Sequence, residues 1–229
     1  SSGPANGAAR AVDRGGERRV EGPFIPPLSV HLCPPTSGIC VIAKLVYNHR
    51  MPQLHVRPAQ TTDLPAILAI DPTYSTDYVW QMEAREEGPT TQITFRNVRL
   101  PRSVRVSLPR DATHLQDAWA QRVCFLVAEE GGQVQGYLNL TLATMPATGW
   151  IADLGVVQRV RRTGVGTVLL ASAVQWARAN GLQRLVLEMQ SKNYPGICFA
   201  QKNGLTFCGY NDRYYPNQDV ALYFAATLK

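Results

Sequence analysis

The 229 residues are 45% hydrophobic and 17% charged, with a formal charge of +6, a balance that fits a globular chain able to bury a core as one large domain or two small ones. Residues 1–50 hold six Lys/Arg against three acids. The +3 left for the remainder is too weak to argue for a nucleic-acid partner, and a small anionic ligand suffices to explain any local basic cluster. Five cysteines and four histidines show no metal-site spacing, so the expectation is no metal and reduced, mostly buried thiols in a cytoplasmic protein. "ICVIAKLVY" carries Lys44 and is too short to span a membrane, so no membrane partner is expected.

Residues 1–50 are rich in Gly, Pro, Arg and small side chains without a sustained period. They read as a largely irregular tail or extension, because such a segment buries too little apolar surface to offset its ordering entropy. The expected domain is 51–229. "LHVRPA" alternates like a strand, and "TTDLPAILAID" follows as a helix to about Ile70, with Thr62 or Asp63 as N-cap and Pro65 in the first turn. "DPTYSTDYVW" is acidic and aromatic, suited either to attract a cationic group or to form an ordinary loop. "TTQITFRNVRL" and "SVRVSL" read as two strands or a long bent hairpin, and "DATHLQDAWAQR" as a short helix capped by Asp111.

"VCFLVAEE" and "QVQGYLNLTLATM" flank Gly131-Gly132 and predict a hairpin. "GWIADLGVV" is a more continuously apolar, central strand, in which Gly155 marks a bulge or a close backbone approach. The firmest helix runs from Gly164 to Asn180: Val165, Leu169, Ala173, Trp176 and Ala177 share one face, and Gly181 stands ready as the stop. "QRLVLEMQ" is another buried strand, "NYPGICFAQKNG" a shorter helix, and "LTFCGYND" with "VALYFAATL" a closing pair. The order predicts an α+β layout around one mixed sheet.

The stretch Val157 to Leu170, "VQRVRRTGVGTVLL", joins a strand to a helix through three arginines and two glycines. A helix N-terminus presents unpaired N–H groups and partial positive charge, and glycines let an anion approach the main chain, so the junction suits a phosphate or pyrophosphate. Gly166 is followed by Thr167-Val168, with no lysine, and Leu169 stands where a dinucleotide fingerprint needs a third small residue.

What remains, Arg161-x-x-Gly164-x-Gly166, resembles the acyl-CoA loop of the GNAT acetyltransferase superfamily. "RLVLEMQSKNYPGICFAQKNGLTFCGY" is similar to that family's second signature, with Asn193, Gly196 and Lys202-x-Gly204 at matching positions. The closing "DVALYFAATL" with "LEMQ" looks most like the streptothricin-type branch. The resemblance implies a mixed, mostly antiparallel sheet flanked by helices and splayed at the acyl-CoA site. It implies acetyl-CoA as co-substrate, a primary amine of a small molecule as acceptor by direct transfer, and a monomer or homodimer.

On that resemblance, the strand of Leu154 and Val156 pairs with the pantetheine arm. Arg161 heads the loop, and the amides of Arg162, Thr163, Gly164, Val165, Gly166 and Thr167 hold the pyrophosphate. Asn193 bonds to the pantetheine or the acceptor side. Glu188 and Asp153, carboxylates among Leu and Val, are the candidate catalytic groups. Ala200 stands where many members carry the tyrosine that protonates the thiolate, leaving Tyr194, Tyr210 or Tyr214 to substitute. The alternatives are a protein N-terminal or lysine acetyltransferase and a non-catalytic acyl-CoA sensor, for which Ala200 is the best argument. His114 reads as a surface helix histidine, Cys198 as buried filler, and the four tryptophans as core or pocket wall.

Overall fold

The computed structural model describes residues 54–107, 112–120, 122–143 and 145–228; the expected tail and the Asp111 cap lie outside them. The strands are β1 His55–Pro58, β2 Tyr74–Glu87, β3 Thr90–Val106, β4 Cys124–Glu130, β5 Gln133–Leu142, β6 Thr148–Val156, β7 Arg184–Gln190, β8 Thr206–Asn211 and β9 Ala221–Thr227. The helices are α1 Leu64–Leu68, α2 Ala112–Ala120, α3 Val165–Ala179 and α4 Tyr194–Lys202. None of them is long and apolar enough to cross a membrane.

Seven strands form one sheet in the order β1-β4-β5-β6-β7-β9-β8, antiparallel except for β6 beside β7. This is the expected mixed α+β sheet. The Gly131-Gly132 turn takes φ of +57° and +78°, the two left-handed residues that a tight hairpin twisting with its strands requires. One face of the sheet carries Leu126, Leu138, Leu140, Ile151, Leu187 and Phe224 against Leu169, Ala173 and Ala177 of α3 and Ile197 of α4. The other face carries Phe125, Val127 and Tyr137 against Ile67 of α1 and Leu115 and Trp119 of α2.

α3 begins one residue later than expected. Gly164, at φ +104°, is its N-cap, and Gly181, at φ +74°, follows the C-cap Asn180. α1 is shorter than the sequence suggests, ending at Leu68 after a 3-10 turn over Thr61–Asp63. The Asp63 carboxylate accepts from the Gln60 amide at 2.7 Å and from both terminal nitrogens of Arg57 at 2.7 and 2.9 Å. The Arg57 guanidinium holds the Asp63 carboxyl below its ordinary value of 3.8. Its folded value lies below its unfolded one, so the stabilisation is complete above pH ~4 and fades as pH falls through the folded value. Asp63→Asn is therefore expected to lower unfolding free energy at pH 7 by about 1–3 kcal/mol, a deficit that shrinks towards zero in denaturant melts under strongly acidic conditions.

"DPTYSTDYVW" is a correction: from Tyr74 it is the start of β2, paired with β3 in a separate two-stranded sheet. β3 is one strand where two segments were expected. Its register jumps from Tyr78↔Arg99 to Thr76↔Val104, so Pro101, which has no N–H to donate, falls in the unpaired stretch. The hairpin packs on the sheet through Trp80 and Phe95 against Phe207, with ring centroids 5.7 and 5.3 Å apart, and the Trp80 amide bonds the Ser191 carbonyl at 3.0 Å.

Candidate active site

β6 and β7 pair only from Thr148↔Arg184 to Ile151↔Leu187, while β6 continues to Val156 and β7 to Gln190. Beyond Ile151 the two strands part, each still paired on its outer side with β5 or β9. This is the splay expected of an acyl-CoA slot. Parting coincides with a bulge: Leu140 faces Ile151 but Asn139 faces Asp153, so Ala152 is the extra residue. The bulge puts Asp153 on the same sheet face as Trp150. Gly155 is no bulge; it makes room for the Tyr137 ring, whose Cε1 would lie 2.3 Å from an added Cβ.

At the mouth of the slot, the Val168 amide closes the first turn of α3 onto the Gly164 carbonyl at 3.1 Å. The amides of Val165, Gly166 and Thr167 precede that bond and have no helical acceptor. The Arg162 and Gly164 amides donate no backbone bond among the described residues, while Thr163 turns inward, its amide and hydroxyl both on the Val160 carbonyl. Arg162 and Gly164 are both left-handed, at φ +68° and +104°, which folds the loop into a concave run of N–H groups suited to an anion. A Cβ on Gly166 would meet Phe199 at 3.2 Å and Leu154 at 3.7 Å, so the glycine keeps open the seam where α3 faces β6 and α4. These features fit a diphosphate at the loop and its arm in the splay.

Arg161 is placed differently from a phosphate ligand. Its guanidinium donates to the carbonyls of Val156, Thr73 and Asp71 at 3.0, 2.5 and 2.6 Å, clamping the loop to the segment before β2. Asn193 is the N-cap of α4, its side-chain oxygen accepting from the Gly196 amide at 2.9 Å.

On the face opposite α3, the Glu188 carboxylate accepts from the Trp150 indole at 3.0 Å and from the Tyr214 and Tyr215 hydroxyls at 3.1 Å each. Trp150 meets Tyr223 edge-on at 5.1 Å, and Tyr214 closes the same group at 6.4 Å from Tyr223. Burial, and then the Glu188 charge, push the Tyr223 phenol up. Glu188 is 8% exposed and Asp153 5%, so both carboxylates are kept from bulk water and held by polar partners. Asp153 accepts from the Asn139 amide at 3.1 Å, and the His114 ring lies 3.4 Å from the same oxygen. Glu188 and Asp153 thus share one face around the splay.

Tyr194 lies elsewhere. It packs on the β2–β3 hairpin, 5.0 Å from the Tyr78 ring, and accepts from Asn97 at 3.3 Å. A hydrogen bond with Cys198 raises its phenol. Ala200 is wholly buried and supplies no proton. The thiols also differ from expectation: Cys124 is buried and pushed up to about 12, but Cys198 and Cys208 are exposed. Of the phenols suggested by sequence, only Tyr214 reaches Glu188 in the described contacts. Tyr215 and Tyr223 were not anticipated; period-2 alternation of "VALYF" put Tyr223 opposite Leu222 and Phe224 and could have flagged it. Nothing local marked Tyr215.

The profile of the acetyltransferase (GNAT) family matches residues 93–205. A streptothricin acetyltransferase from Streptomyces lavendulae is 26% identical over 166 residues, 69% of this chain and 85% of that protein. An N-alpha-acetyltransferase from Sulfurisphaera tokodaii is 29% identical over 170 residues, 64% of this chain and all of that protein. The crystal structure of nourseothricin acetyltransferase superposes with a TM-score of 0.66 at 24% identity, covering 77% of this chain and 99% of that one. With its splayed sheet and glycine loop, the chain belongs to the GNAT family and is an N-acetyltransferase.

Proposed function

We propose that the chain moves the acetyl group of acetyl-CoA directly to a primary amine of a small cationic molecule bound on the Glu188 face. The observation that carries this reading is a nearly buried carboxylate ringed by Trp150, Tyr214, Tyr215 and Tyr223 beside the splay. Aromatic faces around a fixed anion attract an alkylammonium group, and the similarity to a streptothricin acetyltransferase supports an acceptor of that size. In this reading the amides of Arg162, Gly164, Val165, Gly166 and Thr167 hold the diphosphate of the donor. Leu154 and Val156 line its arm, and the side-chain amide group of Asn193, at the start of α4, bonds to the arm or to the acceptor side.

Glu188 already accepts three hydrogen bonds, so its part is to order the aromatic wall and hold the ammonium. Asp153, with His114 alongside, takes the proton that frees the amine lone pair. The nitrogen attacks the thioester carbonyl carbon; as the carbon–sulfur bond breaks, the nitrogen gives up its second proton to water, and the CoA thiolate leaves to be protonated by water in place of a phenol at Ala200. Thiol release measured with acetyl-CoA and two acceptor sets, small polyamines or amine antibiotics and free peptide N-termini, tests the reading. Turnover confined to the small cations supports it. Turnover confined to peptide N-termini overturns it in favour of the N-alpha type, and acetyl-CoA binding without turnover on either set in favour of a sensor.

A further inference from the structure

We infer that Asp219 is a positioning residue that latches the tyrosine loop onto β7 and thereby sets how well the acceptor is held; this rests on the reading of the Glu188 face as the acceptor site. The loop between β8 and β9 delivers Tyr214 and Tyr215 to Glu188, yet it has no regular structure of its own beyond turns. Two of its non-glycine residues, Arg213 and Gln218, sit at φ of +51° and +61°. Such conformations persist only where surrounding contacts hold them.

Asp219 supplies those contacts from both ends of the residue. Its carbonyl accepts from the Tyr214 and Tyr215 amides at 3.2 and 3.3 Å. Its carboxylate, 9% exposed as a residue, accepts from Gln190 at 2.9 Å, Lys192 at 2.5 Å and Asn217 at 2.9 Å. Gln190 is itself 1% exposed, and its amide is oriented by the Tyr74 hydroxyl, which donates to its oxygen at 3.1 Å. Gln190 follows Glu188 by two residues on β7, so the two side chains leave the same face of the strand. The loop is therefore fastened to one strand face at two points, by its tyrosines on Glu188 and by Asp219 on Gln190. Losing the second fastening removes the hold that Asp219 adds beside the tyrosines' own bonds to Glu188.

Asp219→Asn tests this at nearly constant shape. An asparagine offers one acceptor oxygen to three donors, so its amide faces at least one of them. The expected result is an acceptor KM raised tenfold or more with a smaller change in kcat, and acetyl-CoA affinity by calorimetry within twofold of the parent. Amide exchange at Tyr214 and Tyr215 should quicken at least tenfold, with Leu187 and Phe224 unchanged. Lys192→Met removes one donor from a side chain that is 47% exposed, so the fold is safe, and the same shifts should appear at smaller size. A folded Asp219→Asn protein with unchanged exchange at the two tyrosines, or with faster exchange and unchanged acceptor KM, overturns the inference and leaves the acceptor reading standing. If the parent protein acetylates no amine, the acceptor reading fails instead, and unchanged or quickened exchange still decides the latch.

Discussion

Glu188→Gln is expected to cut kcat/KM for amine acceptors by about 100-fold or more, the range seen when one partner of a buried, hydrogen-bonded charge pair is removed from a binding interface. Acetyl-CoA affinity should stay within about twofold, since the donor loop lies at the start of α3 and Glu188 on β7. The glutamine keeps the shape of the network. Its oxygen can still accept from the Trp150 indole and one tyrosine, and the other tyrosine can turn to accept from the new amide. The charge alone is lost, so the variant separates the anion from its scaffold. The loss should fall mainly on acceptor KM. Asp153→Asn should instead fall mainly on kcat, because that group is assigned the proton. Steady-state kinetics of the two variants read the split, and equal effects on both constants in both variants would refute the division of labour.

Gly166→Asp should raise the dissociation constant for acetyl-CoA by about 100-fold, a loss of about 2.7 kcal/mol. The side chain would point into the seam between Leu154 and Phe199, whose nearest ring carbon lies 3.2 Å from the added Cβ. It would set a carboxylate where the donor's diphosphate and arm meet. Folding should survive. The Phe199 edge must give by a few tenths of an ångström, but a non-glycine residue gains roughly 0.5 kcal/mol of helix propensity, and an acidic group in a first turn suits the dipole. Gly166→Ala is the control, adding the methyl without the charge; it should weaken binding much less. Calorimetric titration with acetyl-CoA, alongside thermal melts, separates lost binding from lost fold.

The parts of the fold that sequence disclosed are those with local causes. α3 has apolar residues at helical spacing between Gly164 and Gly181, and both glycines take the left-handed conformations that mark helix ends. The Gly131-Gly132 hairpin is likewise local. β2 was not legible, because a two-stranded hairpin half in solvent needs no strict alternation, and "EAREEG" reads as a loop. Of the site, the glycine loop and both carboxylates lie in recognisable contexts. The role of Arg161 was hidden for a physical reason: charge beside glycines suggests an anion, but the guanidinium reaches carbonyls 88 and 90 residues earlier in the chain. Long-range reach of that kind also concealed Tyr215, which comes to Glu188 from an irregular loop 27 residues away.

A crystal structure of the chain with CoA and a bound amine bears most directly on the account. The expected result has the diphosphate within hydrogen-bonding distance of the amides of Gly164 to Thr167, the sulfur in the gap where β6 and β7 part beyond Ile151, and the amine between that gap and Glu188. A diphosphate seated elsewhere on the molecule, or an amine bound on a face remote from Glu188 and Asp153, would contradict it.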